Sequence, residues 1–133
     1  MDFYLRLFDH RENLHTLTQN TYVHEKHLVK DYSELGSLIT GGPQHFGVIM
    51  TVGYRTDAAA LKAVLGKEWK YLGVLGSSYK ISKLMADLEQ EGIAEQTLKS
   101  LHAPIGLPLK SQTPEEIAVS ILAEIILVKN KGL

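Results

Sequence analysis

The sequence has no cysteine. That excludes a disulfide framework, a thiol nucleophile, thiolate zinc and iron–sulfur ligation within the chain. It has no surplus of charge: 14 Lys and Arg stand against 15 Asp and Glu, for a formal net charge of −1. A chain so balanced offers no bulk attraction to nucleic acid or to an anionic membrane. It also lacks a long hydrophobic run. The greasiest stretch, Ile117 to Val128, is broken by Ser120 and Glu124, too short and too polar to span a bilayer. The opening Met1–Arg6 segment has neither the basic nor the apolar region of a signal peptide. The expectation is a cytoplasmic protein with no nucleic-acid or membrane partner. There are only four prolines, and no tract reads as a linker. The 133 residues suit a single domain over 1–133.

What is present is an alternation of short apolar runs and helical stretches, the pattern of an α/β layered fold. Phe3–Phe8 reads as an aromatic-rich strand ending at Asp9, and His24–Val29 as a weaker one. A short helix is expected over Ser33–Ile39, closed by Gly41-Gly42-Pro43. Phe46–Val52 and Tyr71–Leu75 are nearly continuous in apolar residues, as strands covered on both faces are. Between them, Asp57–Leu65 reads as a helix with Thr56 as its N-cap. After Gly76-Ser77-Ser78, the spacing of Ile81, Leu84, Met85 and Leu88 predicts a core-facing helix that Gly92 ends. Glu95–Leu101 reads as one more short helix, and Ala103–Gly106 as a short strand or extended turn. Thr113-Pro114-Glu115-Glu116 combines an N-cap, a proline at the first helical position and a capping-box glutamate. It opens a last helix whose stripe is Ile117, Ile121, Ile125 and Val128.

Three constellations carry candidate chemistry. In the run 73–80, a strand passes into a helix through Gly76, Ser77 and Ser78. Free N–H groups and the positive end of the helix dipole suit phosphate there, and Lys80 adds a charge. A plain tight turn with a serine cap explains the same residues, and the spacing is not that of a Walker A loop. In the loop 51–57, Thr51, Gly53, Arg55 and Asp57 lie after the best strand, where open α/β sheets bind ligands. Arg55 offers a partner for phosphate or carboxylate, although a capped loop with a surface arginine is the simpler reading. Asp9 ends the first strand, where an acid can hold a ribose hydroxyl or merely make a turn. His10, His15, His24 and His27 cluster early, but His24 and His27 fall on opposite faces of a strand, so no metal site is expected. No nucleophile–base pair appears, so no catalytic residue is assigned and nothing demands an enzyme.

The runs 71–77, Leu101–Leu107 and Thr113–Ile125 occur in the order and spacing of the XdhC/CoxI family, which the sequence resembles from about Phe3 onward. These are maturation factors of molybdoenzymes of the xanthine dehydrogenase and carbon monoxide dehydrogenase type. The resemblance implies a three-layer Rossmann-like α/β fold, a mostly parallel sheet with helices on both faces, lacking the first strand and its glycine-rich loop. It implies a chaperone-like role: binding the molybdenum cofactor (molybdopterin), which bears a phosphate, for insertion into a molybdenum hydroxylase. By position, Asp9 is similar to the family's acid after the second strand. Thr51 and Asp57 are similar to members of the loop after its fourth strand, and Gly76, Ser77 and Lys80 to its glycine–serine turn. The chain departs from the family pattern where Thr51-Val52-Gly53 replaces a histidine-containing loop. It departs again where Ser78 and Tyr79 replace arginines. The alternatives are a nicotinamide nucleotide-binding oxidoreductase module, with NAD(P) disfavoured by the absent glycine-rich turn, and a ligand-free oligomerising fragment. In the strand order 3-2-1-4-5-6, the missing strand is central. The strands on either side must then pair directly or recruit a second chain, and a homodimer is the expectation.

Overall fold

A computed structural model of the chain describes residues 3–11 and 22–131. The strands are β1 (Arg6–Asp9), β2 (Glu25–Leu28), β3 (Gly42–Ile49) and β4 (Trp69–Val74). They form two parallel pairs, β1 with β2 and β3 with β4. His102 adds a short parallel bridge to Gly73 on the far side of β4. A 3-10 turn at Tyr32–Glu34 runs into α1 (Leu35–Leu38). The remaining helices are α2 (Tyr54–Val64), α3 (Ser78–Gln90), α4 (Glu95–Lys99) and α5 (Pro114–Lys131).

β4 explains the layering. Its side chains alternate between faces, so Leu72 and Val74 point one way and Tyr71 the other. Leu72 and Val74 join Ala60, Leu61 and Val64 of α2 and Ile81, Leu84 and Leu88 of α3 in one core. Tyr71 joins Ile105 and the Ile121 and Ile125 stripe of α5 in a second. The sheet therefore carries helices on both faces, as expected for the Rossmann-like class. Gly73 matters to this arrangement, because Ile105 occupies the space a side chain there would need.

Boundaries differ from the sequence expectation where local bonds decide them. β1 starts at Arg6 rather than Phe3, because Phe3 packs its ring edge-on to Phe46 while ladder bonds begin at the Leu5 carbonyl. β3 starts at Gly42, whose N–H reaches the Glu68 carbonyl, and ends at Ile49 rather than Val52. Thr56 is not the N-cap of α2. Gly53 holds that position in extended conformation, and the Thr56 hydroxyl reaches back to accept from the Gly53 N–H at 3.2 Å. The α3 cap is as expected, with Ser77 Oγ accepting from the Lys80 N–H at 3.2 Å. So is the α5 box: Thr113 Oγ1 accepts from the Glu116 N–H at 3.1 Å, and Glu116 Oε1 from the Thr113 N–H at 3.3 Å. His15 and Gly132 lie outside the described residues. β1 and β3 do not pair with each other, so direct closure of the sheet within the chain is not what the described residues do.

Candidate functional site

The carboxyl ends of β1, β3 and β4 open on one side of the fold. Tyr32 marks the place beyond β1: its hydroxyl lies 3.2 Å from His10 Nδ1, and burial pushes its pKa up. Residues that begin helices after parallel strands converge there, because each strand hands its chain upward into a helix start.

Asp57 is the centre of the arrangement. It sits in the first turn of α2 and is fully buried. Its Oδ1 accepts from the Thr51 N–H at 2.8 Å and from Thr51 Oγ1 at 2.6 Å. Its Oδ2 takes the Lys80 ammonium, which also donates to the Leu75 carbonyl at 3.3 Å. A buried carboxylate is tolerable only when paired and hydrogen-bonded, and this one has both. Gly76 leaves room for it, since a side chain there would press on the Lys80 stem. Thr51, Asp57, Gly76 and Lys80 are thus brought together, and the first turns of α2 and α3 are tied to each other. The Lys80 charge expected to be free for a ligand is instead neutralised by Asp57. Beside it, the Ser78 and Tyr79 N–H groups have no acceptor among the described residues.

The other candidates lie at the margins. Gly53 is open, with space around its Cα. Arg55 lines a groove of about 550 Å3 between α2 and α3, with Lys62, Asp87 and Glu91, and is not joined to the Asp57 cluster. That groove is rimmed by the Tyr54 hydroxyl on Asp87 and by Lys83, 4.4 Å above the Tyr54 ring. Asp9 ends β1 as expected, but Arg11 grips both its oxygens, Nε to Oδ1 at 3.0 Å and Nη2 to Oδ2 at 2.8 Å. The Arg11 hydrogen bonds hold its carboxyl down at about 2. No cluster of metal ligands exists among the described residues. His24 stacks on Tyr4 and His27 on Phe8, each as a cross-strand partner.

A second polar cluster was not expected. Glu124 of α5 accepts from the Tyr71 hydroxyl at 2.6 Å and the Gly106 N–H at 2.9 Å, and its other oxygen lies 3.4 Å from His102 Nδ1. The His102 ring stacks on Tyr71. Burial, then Glu124, pushes the Tyr71 hydroxyl well above its usual pKa. A signal did exist. Glu124 falls on the inward stripe, three residues after Ile121 and seven after Ile117, where an acid needs partners. Among the described residues, every buried side-chain polar atom has a partner.

Comparison with known proteins decides the family, because the model of the XdhC Rossmann domain matches residues 1–125. The chain belongs to the XdhC Rossmann-domain family. This XdhC-family domain is 29% identical to a xanthine dehydrogenase of Bacillus halodurans whose crystal structure is known. That match has a TM-score of 0.79 and covers 97% of this chain and 36% of that one. It is 39% identical to YqeB of Escherichia coli over 90 residues, 68% of this chain and 16% of that protein. It is 28% identical to a probable xanthine dehydrogenase subunit of Bacillus subtilis over 89 residues, 67% of this chain and 25% of that one. The XdhC-family domain therefore spans a quarter or less of these two curated relatives. Its Rossmann-like layering agrees with the solved neighbour. Among the described residues no helix is long and apolar enough to cross a membrane.

Proposed function

We propose that this domain serves the maturation of a molybdenum hydroxylase of the xanthine dehydrogenase type, by holding the phosphate end of a cofactor at the carboxyl end of its sheet. The observation that carries this reading is the junction of two helix starts, α2 and α3, tied through Asp57 and Lys80. The Ser78 and Tyr79 N–H groups beside it are unengaged among the described residues. Oriented N–H groups and two positive dipole ends suit a phosphate. Kinship with proteins named for xanthine dehydrogenase supports the choice of target. Molybdopterin carries such a phosphate. Thr51, Asp57 and Lys80 would set the angle between the helices, and Ser77, Ser78 and Gly53 would line the anion. The residues present fit the phosphate end, and the domain's part is binding and orientation, with no chemical step of its own. A nicotinamide dinucleotide fits less well, since the Asp9 oxygens a ribose would use are held by Arg11.

Titration of the isotopically labelled chain with inorganic phosphate, followed by amide NMR, tests the reading. Shifts confined to residues 53–55 and 76–80 at millimolar phosphate are expected, with a rise in melting temperature by mass action. No amide shift at tens of millimolar phosphate would sink it.

A further inference from the structure

The groove between α2 and α3 shares no residue with the Asp57 cluster. It measures about 550 Å3, within the size range of small-molecule sites. Its floor is apolar: Ala58 and Ala59 from α2, Leu84 and Leu88 from α3. All four belong to the core beneath it. Two contacts cross the groove and bound it. The Tyr54 hydroxyl donates to Asp87, and Lys62 Nζ lies 2.8 Å from Glu91 Oε1. On α2, Ala58 and Ala59 fall between these two crossings.

The charges on its rim do not balance. Asp87 accepts from Tyr54 and is paired with Lys83 at 3.1 Å. Glu91 is paired with Lys62. Three cations, Arg55, Lys62 and Lys83, thus stand against two carboxylates, and both carboxylates are engaged. Arg55 is left without an acceptor among the described residues. It stands in the first turn of α2, at the positive end of the helix dipole, where a cation is disfavoured. Neither the local backbone nor an ion pair accounts for a cation there. A guanidinium offers a planar fork of donors that matches a carboxylate.

We infer that the groove binds a small carboxylic acid with an apolar body. The carboxylate pairs with Arg55 at the start of α2, and the body lies on Ala58, Ala59, Leu84 and Leu88. The bound carboxylate balances the rim charges and meets the helix dipole with the sign it favours. A neutral apolar molecule would leave Arg55 unpaired, and a doubly charged acid would meet Asp87 and Glu91. A polypeptide running through the groove would have to open the Tyr54–Asp87 or the Lys62–Glu91 crossing, so the ligand is short. The inference does not depend on phosphate at residues 76–80, which lie outside the groove.

Methyl NMR of the whole chain tests it, with 4-phenylbutyrate as the probe and 4-phenylbutanol as its uncharged counterpart. The acid should shift the methyl signals of Ala58, Ala59, Leu84 and Leu88 and bind in the millimolar range. The alcohol should bind about ten-fold more weakly, and Arg55→Gln should weaken the acid to the same degree. No shift of those methyls at tens of millimolar acid, equal binding by the alcohol, or undiminished binding by Arg55→Gln would overturn the inference. So would shifts confined to Val119 and Leu122 of α5, because the probe would then be seeking any exposed apolar surface. A fall in the melting temperature of Arg55→Gln alongside weaker binding would overturn it too, by marking Arg55 as a residue of the fold.

Discussion

The two strand pairs share one geometry and differ in what stabilises them. In β3–β4 the pairing is backed by burial: Tyr71, Leu72, Gly73 and Val74 are all buried, with α2 and α3 on one face and α5 on the other. In β1–β2 the exposed positions alternate, and Lys26 and Leu28 face solvent. Phe8 packs against the core, and the rest of the pair is held by cross-strand contacts. Tyr4 stacks on His24 at 4.7 Å and Phe8 on His27 at 4.8 Å. Glu25 gathers the Tyr4 hydroxyl, His27 and Arg6, and the Tyr4 hydrogen bond, then that of His27, hold its carboxyl at about 2. Such pairs contribute tenths of a kcal/mol to about 1 kcal/mol each, whereas one buried leucine contributes about 2 kcal/mol or more. A parallel ladder is thus a shape that either kind of force can hold, and the covered pair is the rigid one.

The largest expected effect breaks the comparison most directly. Leu72→Ala in β4 should cost about 2–5 kcal/mol by chemical denaturation, because Leu72 is buried between helices and strands. Leu28→Ala in β2 should cost under about 0.5 kcal/mol, since Leu28 is 56% exposed. Equal costs would mean that the two pairs are not stabilised differently.

Next comes the buried carboxylate. Asp57→Ala should destabilise by about 3 kcal/mol, because it strands a partly buried Lys80 and the Thr51 donors. Adding Lys80→Met should recover a good part of that loss. If the double variant is no more stable than Asp57→Ala, the pair is not acting as a unit.

The smallest effect concerns acid. The Asp9 carboxyl is lowered from 3.8 to about 2, chiefly by the Arg11 hydrogen bonds. A group depressed in the folded state adds stability above its unfolded value and loses it as the pH falls through the folded one. Asp9 should therefore contribute on the order of 1 kcal/mol at neutral pH, lost between about pH 4 and pH 2, allowing for half-exposed Arg11. Asp9→Asn should flatten that limb of a melting-temperature profile. An unchanged limb would place the acid sensitivity elsewhere, with Glu25 as the next candidate.

The covered half of the fold was the legible half. Continuous apolar runs announced β3 and β4, the stripe of Ile81, Leu84 and Leu88 announced α3, and the Thr113–Glu116 box fixed the start of α5 to the residue. The start of α2 was misread because a threonine before an acid looks like a cap, whereas Gly53 caps from three residues earlier with Thr56 reaching back. At the site, Thr51, Asp57, Gly76 and Lys80 could be named from their loops. Their union could not, because it depends on two loops 23 residues apart meeting across adjacent strands. For the same reason Lys80 read as a free charge. The Tyr71–Glu124 bond spans 53 residues and left only the trace of an acid on an apolar stripe.

One feature of α5 bears on how the molecule behaves at the bench. Its inner stripe is used by Tyr71 and Ile105, yet Val119, Leu122, Ile126 and Leu127 stand 42–57% exposed on the rest of its surface. A helix greasy on more than one side presents a native surface to environment-sensitive fluorophores of the kind used to report unfolding. Such dyes will glow before the chain melts, and their traces will start from a high plateau. Calorimetry or circular dichroism, which need no dye, are the sound ways to measure the melting temperatures on which the tests above depend.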